Sequence, residues 1–204
     1  MKRCGVKDSV LGAPGIPGRT NGFSLVELLI AMAISLVVLG AMYSVFTIQN
    51  KTFGKQEQIV EMQQNARAAM DMMSREIRMA GYNPTEASNF SGVTVNASQL
   101  QIQADLDGSG SIDASSQENI VYAFDAANKK ITRNIGAGAQ SFAENIDSFS
   151  FDYLDGSGNV TAISADVRQI RITITGRTAK PDPGYTANGG YRTYALTSVV
   201  ALRN

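Results

Sequence analysis

The sequence predicts an α+β chain in which one long amino-terminal helix, transmembrane in its first half, packs on an antiparallel β-sheet head. Three patterns carry this expectation. Leu25 to Ile48 is a nearly unbroken apolar run, Ile59 to Ala80 repeats apolar residues every three or four positions, and beyond Asn89 the apolar residues alternate with a period of two.

The run from Leu25 to Ile48 is long enough to cross a bilayer core as a helix, which takes roughly 20 apolar residues. From Leu28 to Asn50 no residue is charged, so Glu27 stands alone at the start of the run. Lys2, Arg3, Lys7 and Arg19 precede it against the single Asp8, and a basic excess marks the side retained in the cytoplasm. The chain after Ile48 is therefore expected on the far side of the membrane.

The helical period then continues through Ile59, Met62, Ala66, Met70, Met73, Ile77 and Ala80, a stripe suited to packing against a sheet. Glu57, Glu61, Arg67, Asp71, Arg75, Glu76 and Arg78 fall mostly on other faces, and Asp71 and Arg75 have the favourable order for an i,i+4 ion pair. No proline interrupts Phe23 to Met79, which predicts a single rod of about 57 residues, roughly 85 Å long. Gly40 and Gly54 are its weak points. Gly81 and Pro84 supply the stop.

Strands are expected around Leu100, Ile102 and Ala104; Ile120, Tyr122 and Phe124; Phe149, Phe151 and Tyr153; and Ile170, Ile172 and Ile174. Asp125 to Asn128 reads as a hairpin turn leading into Lys130 to Asn134, Asp155 to Asn159 reads as a second turn, and a last strand should cover Tyr191 to Leu202. About 120 residues of head suffice for one core. The expected divisions are thus 1–22, 23–50, 51–80 and 81–204, the last a β-rich globular head.

Glu27 remains to be explained. A secretory signal with a cleavage site at Ala31-Met32-Ala33 fits poorly, because apolar residues continue past it. A plain anchor fits the length but not the carboxylate, which costs about 2.5 to 3.5 kcal/mol inside a membrane. Gly22 followed by Phe23-Ser24-Leu25-Val26-Glu27, between a basic leader and an apolar helix, resembles the type III signal of type IV prepilins and pseudopilins. The resemblance implies a pilin-like fold, cleavage by a prepilin peptidase between Gly22 and Phe23, N-methylation of Phe23, and an assembly role for Glu27, paired with a neighbouring subunit's terminal ammonium. A carboxylate and an ammonium attract strongly in low dielectric, where either alone is costly. The 22-residue leader is longer than many in that family.

Loss of residues 1–22 would remove the only cysteine, Cys4, and leave 14 of the 18 basic and 17 of the 18 acidic residues, with no histidine. The absence of a disulfide departs from many pilins, and the head must then rely on its core. Without Cys or His the usual thiol nucleophile, imidazole base and soft metal sites are missing, and no paired-carboxylate signal stands out, so an enzyme is not expected. The mild acidity gives no footprint for nucleic acid.

Met73-Ser74-Arg75-Glu76-Ile77-Arg78-Met79-Ala80-Gly81-Tyr82-Asn83-Pro84 and the closing Val200-Ala201-Leu202-Arg203-Asn204 resemble the PilW-like minor pilins. Arg75 and Arg78 read as a solvated face near a helix carboxyl end, where cations complement the dipole. The resemblance implies a minor subunit of a type IV pilus acting in filament assembly or initiation, with other major and minor pilins as partners. It would lie in the bacterial inner membrane as precursor, then in the periplasm or at the cell surface in the pilus. A J-type pseudopilin of type II secretion shares the same chemistry. A membrane-anchored binding head that recognises a surface or ligand and enters no filament is the reading from another class.

Asp105-Leu106-Asp107-Gly108-Ser109-Gly110-Ser111-Ile112-Asp113 resembles a calcium loop of EF-hand type, with oxygens at positions one, three, five and nine, glycine at six and an apolar residue at eight. The candidate Ca2+ ligands are Asp105, Asp107, Ser109, the Ser111 carbonyl and Asp113. Position twelve is Ser116, and Glu118 serves only if the loop bulges. The plain alternative is a tight polar turn.

Overall fold

The computed structural model describes residues 22–86 and 90–202. Residues 1–21, with Cys4, and Arg203 and Asn204 lie outside the described residues. The chain divides into two compact units, Met1–Gln49 and Asn50–Asn204. One helix, α1, Leu25–Arg78, contributes to both.

Within the first unit every residue from Leu25 to Phe46 is exposed. Hydroxyls that would be costly in lipid are satisfied inside the helix: Ser35 donates to the Ala31 carbonyl at 2.7 Å, Ser44 to that of Gly40 at 3.1 Å, and Thr47 to that of Ser44 at 2.9 Å. Apart from Glu27 and the Tyr43 hydroxyl, the segment thus presents an apolar surface.

In the second unit the helix becomes one-sided. Met62, Ala66, Ala69, Met70, Met73 and Ile77 are buried, as the 3.6-residue period predicts, whereas Ile59 is only half-buried. The last turn tightens: the N–H groups of Met79 and Ala80 donate three residues back, to Glu76 and Ile77, and α1 ends at Arg78, one residue short of Met79. Gly81 takes the left-handed conformation at φ 78° and donates its N–H to the Gln103 carbonyl at 2.9 Å. The expected Asp71–Arg75 ion pair is absent among the described residues. Both side chains are exposed, where such pairs are worth little.

Among the described residues eight strands follow, in two antiparallel sheets where a single sheet was expected. The first has the order β1 (Val93–Thr94), β2 (Gln99–Gln103), β3 (Asn119–Asp125), β4 (Lys130–Asn134), β5 (Ala139–Ala143). The second has β6 (Ile146–Leu154), β7 (Gln169–Arg177) and β8 (Thr193–Ala201). The break falls at Glu144-Asn145, where Asn145 turns the chain with φ 55° and its carbonyl accepts the Arg177 N–H at 2.8 Å. The β3–β4 hairpin lies where Asp125 to Asn128 placed it, with the Asp125 carboxylate accepting the Asn128 N–H at 3.0 Å. The two-residue β1 and the polar β5 were not legible as strands.

Both sheets bury their inner faces on the helix. Leu100, Ile102, Ile120, Tyr122 and Ile131 from the first sheet and Ile170, Ile172 and Ile174 from the second join Ala66, Met73 and Ile77 in one cluster. Near the helix end the backbone approaches so closely that a Cβ on Gly92 would stand 2.2 Å from the Gly81 nitrogen. The Gly92 carbonyl accepts the Gln103 N–H there, and the Gln103 carbonyl accepts that of Gly81. Gly92→Ala must therefore displace backbone; it is expected to destabilise the head by about 2 kcal/mol or more, read by denaturant titration of the full chain in detergent.

Candidate functional site

Gly22, Phe23 and Ser24 precede α1 as an exposed extended segment, with Phe23 81% exposed. The first helical bond runs from the Leu28 N–H to the Ser24 carbonyl at 3.2 Å. A Cβ placed on Gly22 would meet no described atom within 4 Å. The chain's own packing does not call for glycine at this position. A requirement for it points to a reader outside the chain.

Glu27 sits in the first helical turn, where a carboxylate complements the positive end of the helix dipole. It is exposed, and no hydrogen bond or ion pair engages it among the described residues. Around it stand Leu25, Val26, Leu28, Leu29 and Ile30, each at least half exposed. The arrangement presents a single acid in an otherwise apolar surface.

The polar loop from 104 to 118 connects β2 to β3 and is organised from its far end. Glu118, buried at 3% exposure, accepts the N–H groups of Leu106 at 2.9 Å and Asp107 at 3.1 Å on one oxygen and that of Asp113 at 2.9 Å on the other. Asp105 is fully buried and accepts the N–H groups of Gly108 at 2.8 Å and Gly110 at 2.9 Å. Asp107 is exposed, and the Ser109 N–H holds its carboxyl below the ordinary range. Carboxylate oxygens of Asp105, Asp107 and Glu118 lie within 4.8 Å of one another, so this acidic triad could bind a metal.

Of the four carboxylates expected as ligands, three are therefore brought within reach of one another. Glu118 reaches the site because the segment after Asp113 bulges, which its spacing left open. Asp113 turns away and caps Ser115, whose N–H it accepts at 2.8 Å and which lowers its pKa. The Ser109 and Ser111 hydroxyls lie 3.2 Å apart and engage each other.

Two charged clusters were not readable from spacing. Glu76, expected on an outer face, is nearly buried: Arg133 donates to it at 2.7 Å and the Tyr122 hydroxyl also donates to it. Burial, reinforced by Glu76, pushes the Tyr122 hydroxyl pKa up, which keeps it a donor. Asp182 is held by Lys55 at 2.8 Å and by two nitrogens of Arg192 at 3.0 and 3.2 Å. The only local signal for the latter was the rigid Pro181-Asp182-Pro183-Gly184 turn.

The model of the family described as prepilin peptidase-dependent protein B matches residues 55–200, and that of the prokaryotic N-terminal methylation motif matches residues 18–43. No curated protein matches the chain. A solved type IV-like pilin from Thermus thermophilus aligns at a TM-score of 0.43 and 11% identity, covering 68% of this chain and 94% of its own.

Glu118→Ala would strip three loop N–H groups of their acceptor and is expected to cost about 2 kcal/mol or more. Asp113→Ala, at an exposed cap, should stay within about 1 kcal/mol. Paired denaturant curves on the full chain decide between this ordering and its reverse.

Proposed function

Because the chain belongs to the prepilin peptidase-dependent protein B family, whose members are peptidase substrates and not enzymes, we propose that it is a minor subunit of a type IV pilus, PilW-like in kind. A prepilin peptidase cuts the inserted precursor after Gly22, Phe23 is N-methylated, and the mature chain joins major and minor pilins to help start the filament. Residues 23–50 are then the membrane and assembly half of the helix, and 81–204 the exported head. The observation that supports this most is the motif's setting: an exposed segment at Gly22-Phe23, open space around Gly22, and one carboxylate without a partner among the described residues on an apolar helix. In the filament a neighbour's terminal ammonium would neutralise Glu27, and this pairing sets the axial register.

Mass spectrometry of the mature chain should find N-methyl-Phe23 at its terminus, and Gly22→Val should leave the full precursor in the membrane. Glu27→Ala should be processed normally yet fall more than about ten-fold in purified filaments, since an unpaired ammonium in low dielectric costs several kcal/mol. An uncleaved Met1 terminus in filaments, or wild-type incorporation of Glu27→Ala, would overturn the reading.

We also propose that the triad of Asp105, Asp107 and Glu118 takes Ca2+. Two of these carboxylates are buried beside a third with no cationic side chain bonded to any of them among the described residues, and a hard divalent ion would offset that repulsion. A ligand bound only to the folded state at 100 times its Kd adds about 2.7 kcal/mol. The full chain in detergent should melt about 5 °C or more higher in calcium than in chelator. Identical melting removes the metal.

A further inference from the structure

A second constellation, untouched by processing or by the loop, lies entirely within the second unit. Residues 50–58 of α1 and the 178–192 segment line an open cavity of about 410 Å³. Lys51, Lys55, Lys180 and Arg192 line it against one carboxylate, Asp182. The neighbouring cavity, by contrast, sets Arg177 against Glu61 and Glu144. A cationic hollow is unexpected on a chain whose exported part carries more acid than base.

The wall is built and not merely crowded. Pro181 and Pro183 fix the backbone on either side of Asp182, whose N–H donates to the Gly190 carbonyl at 2.7 Å. Its carboxylate also accepts the Gly184 N–H at 3.0 Å, so between Gly184, Lys55 and Arg192 both oxygens are occupied. Lys55 foremost, with the Gly184 N–H and Arg192, holds the Asp182 carboxyl down at about 2, so it stays charged and orients the two cations. The Lys180 N–H donates to Gln58 at 3.2 Å, tying this segment to the helix. The ammonium groups of Lys51 and Lys180 have no acceptor among the described residues. Both side chains are exposed, and neither is committed to an ion pair among the described residues.

Lys51 follows Ile48, the last residue of the exposed apolar run, by three positions on the same helix, a rise of about 5 Å. Lys51 is thus within one helical turn of the end of the apolar run. We propose that this cavity is a binding site for a phosphate-bearing anion, supplied by the headgroup of an anionic phospholipid while the chain is membrane-inserted. The proposal rests on the membrane-inserted precursor argued above. Such a contact would hold the head against the membrane surface until the helix leaves the bilayer.

The test uses the full chain reconstituted in phosphatidylcholine discs, in discs also containing phosphatidylglycerol, and in phosphatidylcholine discs with added glycerol 3-phosphate. Acylation rates of Lys51, Lys55 and Lys180 are read by peptide mass spectrometry relative to Lys130. Each cation near an anionic surface adds about five-fold to binding, so phosphatidylglycerol should slow these three lysines about five-fold or more relative to Lys130. Removing two charges in Lys51→Ala/Lys180→Ala should then return Lys55 to its rate in phosphatidylcholine. Equal slowing by glycerol 3-phosphate would keep the anion site and overturn the lipid as its source. Unchanged rates in every arm, or slowing of Lys130 to the same extent, would overturn the site. A chain that does not enter discs counts against the membrane reading instead, and the glycerol 3-phosphate arm in detergent still decides the cavity.

Discussion

The stripe of Met62, Ala66, Met70, Met73 and Ile77 on α1 is the constraint on which the head depends. Among the described residues the two sheets share no hydrogen-bonded ladder; burial against this helical face unites them, aided by the Tyr153 hydroxyl, which reaches the Thr94 carbonyl at 3.2 Å, and by the Ile146 N–H, which donates to the Lys129 carbonyl at 2.8 Å. The choice of residues follows from that duty. Alanines at 66 and 69 let the sheets approach, and flexible methionines at 62, 70 and 73 fill the uneven gap where two differently oriented surfaces meet. Toward the helix end the contact becomes backbone to backbone at Gly81, Gly92 and Gln103, and the helix stops there by donating into β2.

Helix and sheet periods made much of this legible. The alternation at 100–102, 120–124 and 170–174 located β2, β3 and β7 because each strand has one face on the core, which leaves a strict period of two. The split into two sheets was not legible, since it depends on a left-handed Asn145 between two strands that each look ordinary alone. β5 was missed for a related reason: its first three residues are exposed, so no alternation marks it. The loop shows the limit of spacing rules most directly. Its glycines and aspartates were readable as a loop, but Glu118 organises it from two residues beyond the expected position, because only the folded chain brings that side chain back over Leu106 and Asp107.

The charged pairs within the head were hidden for a different reason. Glu76 and Arg133 are 57 residues apart, and nothing local to either marks it as half of a pair. Periodicity could place Glu76 on the flank of the stripe; it could not say that β4 would lean an arginine over that flank. The same holds for Lys55 and Asp182, which a helix and a remote turn contribute separately.

These pairs bear on Glu27. Wherever this fold takes an acid out of water, it supplies donors: Arg133 and Tyr122 for Glu76, Lys55 and Arg192 for Asp182, three backbone N–H groups for Glu118. The cost of desolvating a carboxylate demands no less. Glu27 is placed among residues suited to a membrane, yet among the described residues nothing donates to it. A helix amino terminus offsets part of a charge and only over one turn. The pairing proposed for Glu27, with a neighbouring subunit's cationic terminus, would follow the rule that the acids within the head obey.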